Sequence, residues 1–501
     1  MRRSNAKWVQ PIFKPRSLIG ATSATFLNRT HEIVRANIWN DPAREKLWLY
    51  NLHYFDDFSS ENAHDHRQVQ EKFLLRWITE NPPASGNGWE PYPISLRIVN
   101  WIKWAQAGNV LPDIARESLA VQIRWLTKRI ENHLRANHLF VNAKALVYAG
   151  LAHESAESDQ WLKQGLAILD REIPEQILAD GAHFERSPMY HAIILEDILD
   201  LINASGAWPG RVPNSTVELW RTTACAMMKW LDTLSHPDGD ISFFNDAAFE
   251  IAPTRQHIAE FAHRMGITLS ATACTRLQCC QSSGYVRAEC GDAVLIADIA
   301  PIGPDYQPGH AHADTLSFEL SLHGHRVVVN SGTSSYVTGP QRTYERSTAA
   351  HNTLEINGCD SSEVWGGFRV ARRARIVESS CTDSDGLISI IGAHDGYRRL
   401  IGRPIHRRRW DLSPGSLKIT DMIEGQFDSA LARFYLHPDA TKVDDATIRL
   451  PTGELLSFKV QGGSASIEPA SWYSQFGTAT ENLCVVAAMK DKTMVIELTW
   501  N

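Results

Sequence analysis

The densest group of chemically useful side chains lies in PDYQPGHAHADTLSFEL, where His310, His312 and Asp314 alternate at the mouth of an apolar run. If that run opens a β-strand, period two puts all three side chains on one face. The following run, HRVVVNSGTSSY, brings Asn330 and Tyr336, and RTYERSTAAHNTLEI adds Tyr344, Arg346 and His351. Imidazoles grouped with a carboxamide or carboxylate suit zinc, whose sites take about four N, O or S donors in a tetrahedron. They also suit a polar strand end whose histidines only hydrogen-bond, and the residues themselves leave both readings open.

Three more groups precede these. Asn137 and His138 open NHLFVNAKALVYAGLA, with Asn142 one turn beyond, placed either to cap a helix or to hold a ligand. DGAHFERSPMY carries Glu185 and Arg186 and leads into a helix with Tyr190 in its first turn. Tyr190 shares a helical row with Ile194 and Ile198, so it reads equally as a core aromatic with a bonded hydroxyl. Trp89 and Tyr92 stand beside Gly and Pro breaks in GNGWEPYPISLRIVNW, where aromatics can line a groove and stack on sugar rings, and Arg97 can meet an acid group. Asn245 and Asp246 in FFNDAAF are a polar break between apolar residues, either a turn or a groove wall.

These groups need elements to position them. Up to about residue 265 the apolar spacing is helical: positions 139, 143, 146, 147, 150 and 151 form one stripe. SPMYHAIILEDILDLINASG is a helix with Ser187 as cap, Pro188 in the first turn and Gly206 after the end, and STVELWRTTACAMMKWLDTLSHPDGD is another. From residue 284 the texture turns to short β-rich runs such as DAVLIADIA, TLSFELSL and GLISIIGA. The expected architecture is two-domain α+β: an N-terminal extension (1–44), a toroid of helical hairpins (45–265), a connection (266–283) and an antiparallel β-sandwich (284–501).

Composition narrows the function. With 43% apolar residues and 45 aromatics (16 Trp, 12 Tyr, 17 Phe) the chain is neither disordered nor fibrous. A net charge of −7 gives no basic field for nucleic acid. Arg369, Arg372, Arg373 and Arg375, and His406 to Arg409, could meet an anionic polymer or form a solvated strand face. No run of about 18 apolar residues suggests a membrane span, and the opening MRRSNAKWVQPIFKPRSLIG has no secretion h-region. The expectation is a cytoplasmic location, or a periplasmic one if the true start lies upstream. The eight scattered cysteines lack a CxxC and read as free thiols.

Together these segments resemble the heparinase II/III-like polysaccharide lyases, a superfamily that includes alginate lyases. HAHADTLSFEL, VVNSGTSSY and RSTAAHNTLEING carry the resemblance most strongly, with NHLFVNAKAL and the Tyr of ERSPMYHAIILEDI upstream. The resemblance implies that Asn137 and His138 meet a substrate carboxylate, that Tyr190 is the catalytic tyrosine, and that His310 is catalytic or positions substrate. Tyr336 would be a second tyrosine near the cleft. It implies His312, Asn330 and His351 as ligands of a structural zinc. The family usually has Asp where this chain has Asn330, and an amide oxygen ligates without bringing charge, which weakens such a site. Asp314 would add charge nearby without being a ligand.

The implied reaction is β-elimination from a uronic acid: the C5 proton leaves as the bond to the C4 oxygen breaks. Asn137, aided by His138 or Arg186, would stabilise the enolate-like charge, as an oxyanion hole does. Tyr190 or a histidine would move the proton. Trp89, Tyr92, Arg97, Arg186, Asn245, Asp246 and Arg346 are the expected substrate contacts. The expected partner is an anionic poly- or oligosaccharide, such as a bacterial exopolysaccharide. Two other readings stand: a glycoside hydrolase, for which Glu185, Asp246 and Asp314 are candidate carboxylates, and a non-catalytic glycan-binding protein of polysaccharide biosynthesis.

Overall fold

The structure, a computed structural model, describes residues 1, 2, 4, 8–269 and 275–500; residues 270–274 of the expected connection, with Cys274, lie outside the described residues. The chain divides into two compact units. One comprises Met1–Ile177, Ile193–Cys225 and His257–Thr268; the other comprises Leu178–Ala192, Ala226–Gln256 and Leu269–Asn501.

The first unit opens with a small antiparallel sheet, β1 (Leu18–Ile19), β2 (Ser23–Phe26) and β3 (Arg29–Glu32). Helices follow along the chain: α1 (Lys46–Tyr54), α2 (Arg67–Glu80), α3 (Pro91–Gln106), α4 (Asp113–Thr127), α5 (Ala136–Ala152), α6 (Ala156–Gln176), α7 (Pro188–Ala207), α8 (Asn214–Thr233) and α9 (Arg255–Arg264); α7 up to Ala192, α8 from Ala226 and α9 up to Gln256 belong to the second unit. The expected stripe helix is α5, and it is buried along almost its whole circumference, so its apolar residues exceed one face. Glycines let α6 close on it: a Cβ on Gly150 would lie 2.5 Å from Leu162 Cβ, and one on Gly165 2.8 Å from the Ala143 carbonyl oxygen. Most tryptophans of this unit are core, with Trp39, Trp48, Trp77, Trp101 and Trp104 all but inaccessible. Ser187 caps α7, its hydroxyl accepting from Tyr190 N at 3.2 Å, while the helix runs one residue past Gly206.

In the second unit, β4 (Leu277–Cys280), β5 (Tyr285–Cys290), β6 (Ala293–Asp298), β7 (Phe318–Leu322) and β8 (His325–Val328) form an antiparallel meander. After α10 (Pro340–Arg346) and β9 (Leu354–Ile356), β10 (Glu363–Trp365) and β11 (Arg369–Ala371) make a hairpin. Then come β12 (Ile376–Ser384), β13 (Leu387–His394), β14 (Ile405–Ser413), β15 (Ser416–Glu424), β16 (Ala430–Tyr435), β17 (Thr441–Lys442), β18 (Thr447–Arg449), β19 (Leu455–Gln461), β20 (Gly463–Trp472), β21 (Thr480–Met489) and β22 (Thr493–Trp500). They form an eight-stranded sheet, ordered β12-β13-β14-β15-β22-β19-β18-β17, and a four-stranded one, β20-β21-β16-β9. Leu295 and Phe318 of the meander, Trp410 and Leu498 of the large sheet and Phe434 and Val485 of the small one share one core, the sheet-on-sheet packing of a sandwich. The α+β class, helices first and antiparallel sheets after, is as expected.

Two expectations change. Residues 310–314 are irregular rather than a strand opening, because regular pairing begins only at Phe318. The cysteines are not all free: Cys279 on β4 is bonded to Cys381 on β12, 102 positions away, because the fold lays these two strands side by side.

Candidate active site

In the second unit the site is organised by the turn at Asn245-Asp246. Asn245 adopts φ +58°, a left-handed conformation that Asn tolerates better than most residues. Its amide N–H donates to Asp314 Oδ2 (2.9 Å), its Nδ2 donates to the Arg186 carbonyl (3.0 Å), and its Oδ1 accepts from His312 N (3.0 Å). Asp246 N donates to the His310 carbonyl (2.9 Å). The turn is thus stitched to both loops that carry the histidines and Tyr190.

Asp246 itself has no exposed surface. Its carboxylate accepts from His310 Nδ1 (2.9 Å) and His312 Nε2 (2.8 Å) and takes both terminal nitrogens of Arg342, Nη2 at 2.7 Å. Burial alone would push this carboxyl up, but the Arg342 charge and the histidine hydrogen bonds hold it well below the carboxylate range. An ionised Asp246 only accepts, so His310 Nδ1 carries a proton, and Nε2 is the ring nitrogen left facing away from Asp246. The His310 ring stacks on Tyr190, centroids 3.8 Å apart, and Tyr190 and Tyr336 share a hydrogen bond at 3.0 Å. Burial and then the Asp246 charge push the Tyr336 phenol well above its usual value, which keeps it a neutral donor. His310 is 12% exposed at its side chain, enough for a reacting atom to touch it.

A second group lies in the first unit. Arg135 and Ala136 both have positive φ, +53° and +48°, immediately before Asn137. Strained backbone of this kind clusters at functional sites. Asn137 hydrogen-bonds the Tyr92 hydroxyl. The His138 ring lies against Tyr92, centroids 4.4 Å apart, and its Nδ1 meets Glu131 Oε1 at 3.1 Å. Asn142 turns inward, accepting from Glu131 N (2.9 Å) and donating to Ser95 Oγ (3.1 Å). Asn137 is therefore no helix cap; it belongs to a polar cluster with Tyr92 and His138.

Several expected substrate contacts are instead braces. Arg97 is fully buried over Trp77 and donates to Gln122 Oε1, the Gly88 carbonyl and the His53 carbonyl. Trp89 is 4% exposed and donates to the Asn81 carbonyl. Arg346 is buried and donates to the carbonyls of Ala311, Gly366 and Arg369, so it holds loops rather than substrate. Asn245 and Asp246 hold the histidine loop from beneath. Arg186, 9% exposed, donates from Nε to the Ser283 carbonyl. Tyr92 keeps partial exposure, as does Tyr336. Sequence reasoning missed Arg342; its signal was an Arg pair at i, i+4 in PQRTYER beside an Asp embedded in apolar FFNDAAF, a buried charge that needs a partner.

The Heparinase II/III N-terminus family model matches residues 42–263, and the Heparinase II/III-like, C-terminal model matches residues 275–500. The chain belongs to the heparinase II/III-like family. A protein of Bacteroides stercoris named heparin-sulfate lyase is 26% identical over 294 residues, covering 54% of this chain and 43% of that protein. Another so named, from Pedobacter heparinus, is 25% identical over 247 residues, covering 44% and 36%. The matched stretches thus span less than half the length of these curated relatives. Among solved structures, heparinase III has a TM-score of 0.71 at 17% identity, covering 91% of this chain and 76% of that one. The heparan sulfate lyase of Pedobacter heparinus gives 0.61 at 17%, covering 96% and 81%. These likenesses show that the heparinase II/III-like chain shares their fold.

The zinc that the family resemblance implies can be tested against the donors. His312 Nδ1 and His351 Nε2 approach to 3.1 Å, a spacing two ligands of one cation could have. Asn330 Oδ1, however, lies at the other nitrogen of His351 (3.4 Å) and accepts from Asn352 N (3.1 Å), while its Nδ2 has no partner among the described residues. Among the described residues this heparinase II/III-like site brings two donors together where structural zinc takes about four, so the set does not fit.

Proposed function

We propose that the chain is a polysaccharide lyase cleaving a uronate-containing glycosaminoglycan by β-elimination. One observation carries the reading: His310, held through Nδ1 by the buried Asp246 carboxylate, stacks on Tyr190, whose hydroxyl bonds that of Tyr336. Relatives named heparin-sulfate lyase and the shared fold support the substrate class.

In this reading His310 Nε2 takes the C5 proton. Asp246 stabilises the imidazolium that forms and fixes its tautomer, as the acid of a catalytic triad does. Tyr190 returns a proton to the departing C4 oxygen, and Tyr336, kept neutral by burial, donates a hydrogen bond to Tyr190 as its charge develops. The family resemblance assigns the uronate carboxylate to Asn137 and His138, whose hydrogen bonds to it would make the C5 proton easier to take. The hydrolase reading is weaker: Asp246 is locked to Arg342, and Glu185 and Asp314, the latter pushed up to about 7 by burial, are each only 2% exposed. The test is the pH profile of kcat/KM on heparan sulfate. The reading expects an acidic limb, activity rising with pH as the base sheds its proton, that Asp246→Asn moves, whereas a profile unchanged by that substitution contradicts His310 as base.

A further inference from the structure

The β10–β11 hairpin carries two large aromatics in water beside the proposed catalytic group. Trp365 is 58% exposed and Phe368 42%. Phe368, at the tip, lies with its ring 5.9 Å from His310 and 5.3 Å from Tyr336. Trp365 is paired across the hairpin with Arg369, so both side chains project from the same face, while Val364 points inward, 9% exposed. The remaining charges of the face are consumed: Glu363 is taken by Arg372 and Arg399, and Arg373 by Asp305. Arg369 alone of these arginines stands exposed beside an exposed aromatic.

The hairpin is also held rigidly. Arg342 Nε donates to the Gly367 carbonyl (3.1 Å), and Arg346 donates to the carbonyls of Gly366 and Arg369 (3.3 Å each). Gly366 takes φ +56° at the bend, and a Cβ on Gly367 would lie 3.1 Å from Thr338 Oγ1. The arginine that fixes the tip also fixes Asp246, and hence His310. Exposed aromatics on a fixed backbone are poised for a ring to cover them, because little conformational freedom is lost on binding.

We propose that Trp365, Phe368 and Arg369 form a binding subsite for an acidic sugar, one or two rings along the polymer from the scissile bond. The apolar face of a pyranose stacks on the aromatics, and Arg369 pairs with its carboxylate or sulfate. This subsite rests on the lyase reading for its occupant, and binding tests it independently of cleavage. In a Tyr190→Phe background, calorimetric titration with a heparan sulfate tetrasaccharide is compared across added Trp365→Ala, Arg369→Gln and Arg372→Gln substitutions.

Trp365→Ala is expected to weaken binding roughly tenfold and Arg369→Gln about three- to tenfold, the latter effect shrinking as salt rises. Arg372→Gln, whose partner is Glu363, is expected to stay within about twofold. Thermal melting checks folding, which exposed positions leave intact. Affinity unchanged by both Trp365→Ala and Arg369→Gln overturns the subsite, and if the wild type still releases unsaturated uronate the lyase reading survives it. Weakened binding with no unsaturated uronate from wild type keeps the subsite and sinks the lyase reading instead.

Discussion

Asp246→Asn is the substitution on which the arrangement of the site bears most heavily. The native carboxylate meets two guanidinium nitrogens of Arg342 and one nitrogen each from His310 and His312, with no exposed surface. The amide is isosteric, but one of its ends becomes a donor and must face a donor already there. Arg342 is left buried without a counter-charge, and breaking such a pair costs about 3–5 kcal/mol of stability. His310 loses the acceptor that holds its tautomer, so kcat on heparan sulfate should fall by about 10²–10⁴-fold. Urea unfolding measures the first effect and the initial rate of unsaturated product the second. Adding Arg342→Gln separates them: removing both charges should recover much of the stability, while activity stays low because His310 still lacks its carboxylate. A double variant restored to within about threefold of wild-type kcat would refute the reasoning, since Asp246 would then matter only as a partner for Arg342.

Other consequences follow from the packing and the buried imidazoles. Gly150→Ala puts a methyl within 2.6 Å of the Leu162 backbone nitrogen, so α5 and α6 must separate. Overpacking of this kind should cost about 1–3 kcal/mol, seen as a lower melting temperature. Burial holds His53 and His191 down at about 3. Between that value and the ordinary histidine pKa of about 6.5 the unfolded chain binds more protons, so stability rises with pH across this window. Each should forfeit about 3 kcal/mol by about pH 4, visible as a melting temperature that drops on acidification below about pH 6.5; a flat profile from pH 7 to 4 would contradict it. Tyr336→Phe removes one hydrogen bond to Tyr190 and should lower kcat by about tenfold with KM nearly unchanged, a smaller loss than Tyr190→Phe.

Much of this was legible in the chain. The α5 stripe, the Ser187 cap of α7 and the β runs appear where periodicity and capping chemistry put them, because those signals are local. The pairing of Tyr190 with His310, 120 positions on, was reachable only through the family resemblance. What the sequence hid is long-range. Nothing at Arg97 or Arg346 distinguishes an arginine that holds carbonyls from one that meets substrate; only burial does. HAHAD reads as alternation, yet its backbone is irregular, and both histidines reach Asp246 through different ring nitrogens. The Cys279–Cys381 bond depends on strand neighbours fixed by the whole sandwich.

The central claim is elimination at Tyr190 and His310, and the most direct measurement is ultraviolet absorbance of unsaturated uronate. Heparan sulfate, hyaluronan, chondroitin, alginate and bacterial acidic exopolysaccharides serve as substrates, with wild type beside Tyr190→Phe and His310→Gln. The account predicts a rise with wild type on at least one glycosaminoglycan, reduced by about a hundredfold or more in either variant while both melt as the parent does. New reducing ends without absorbance, or a Tyr190→Phe variant as active as wild type, would contradict it.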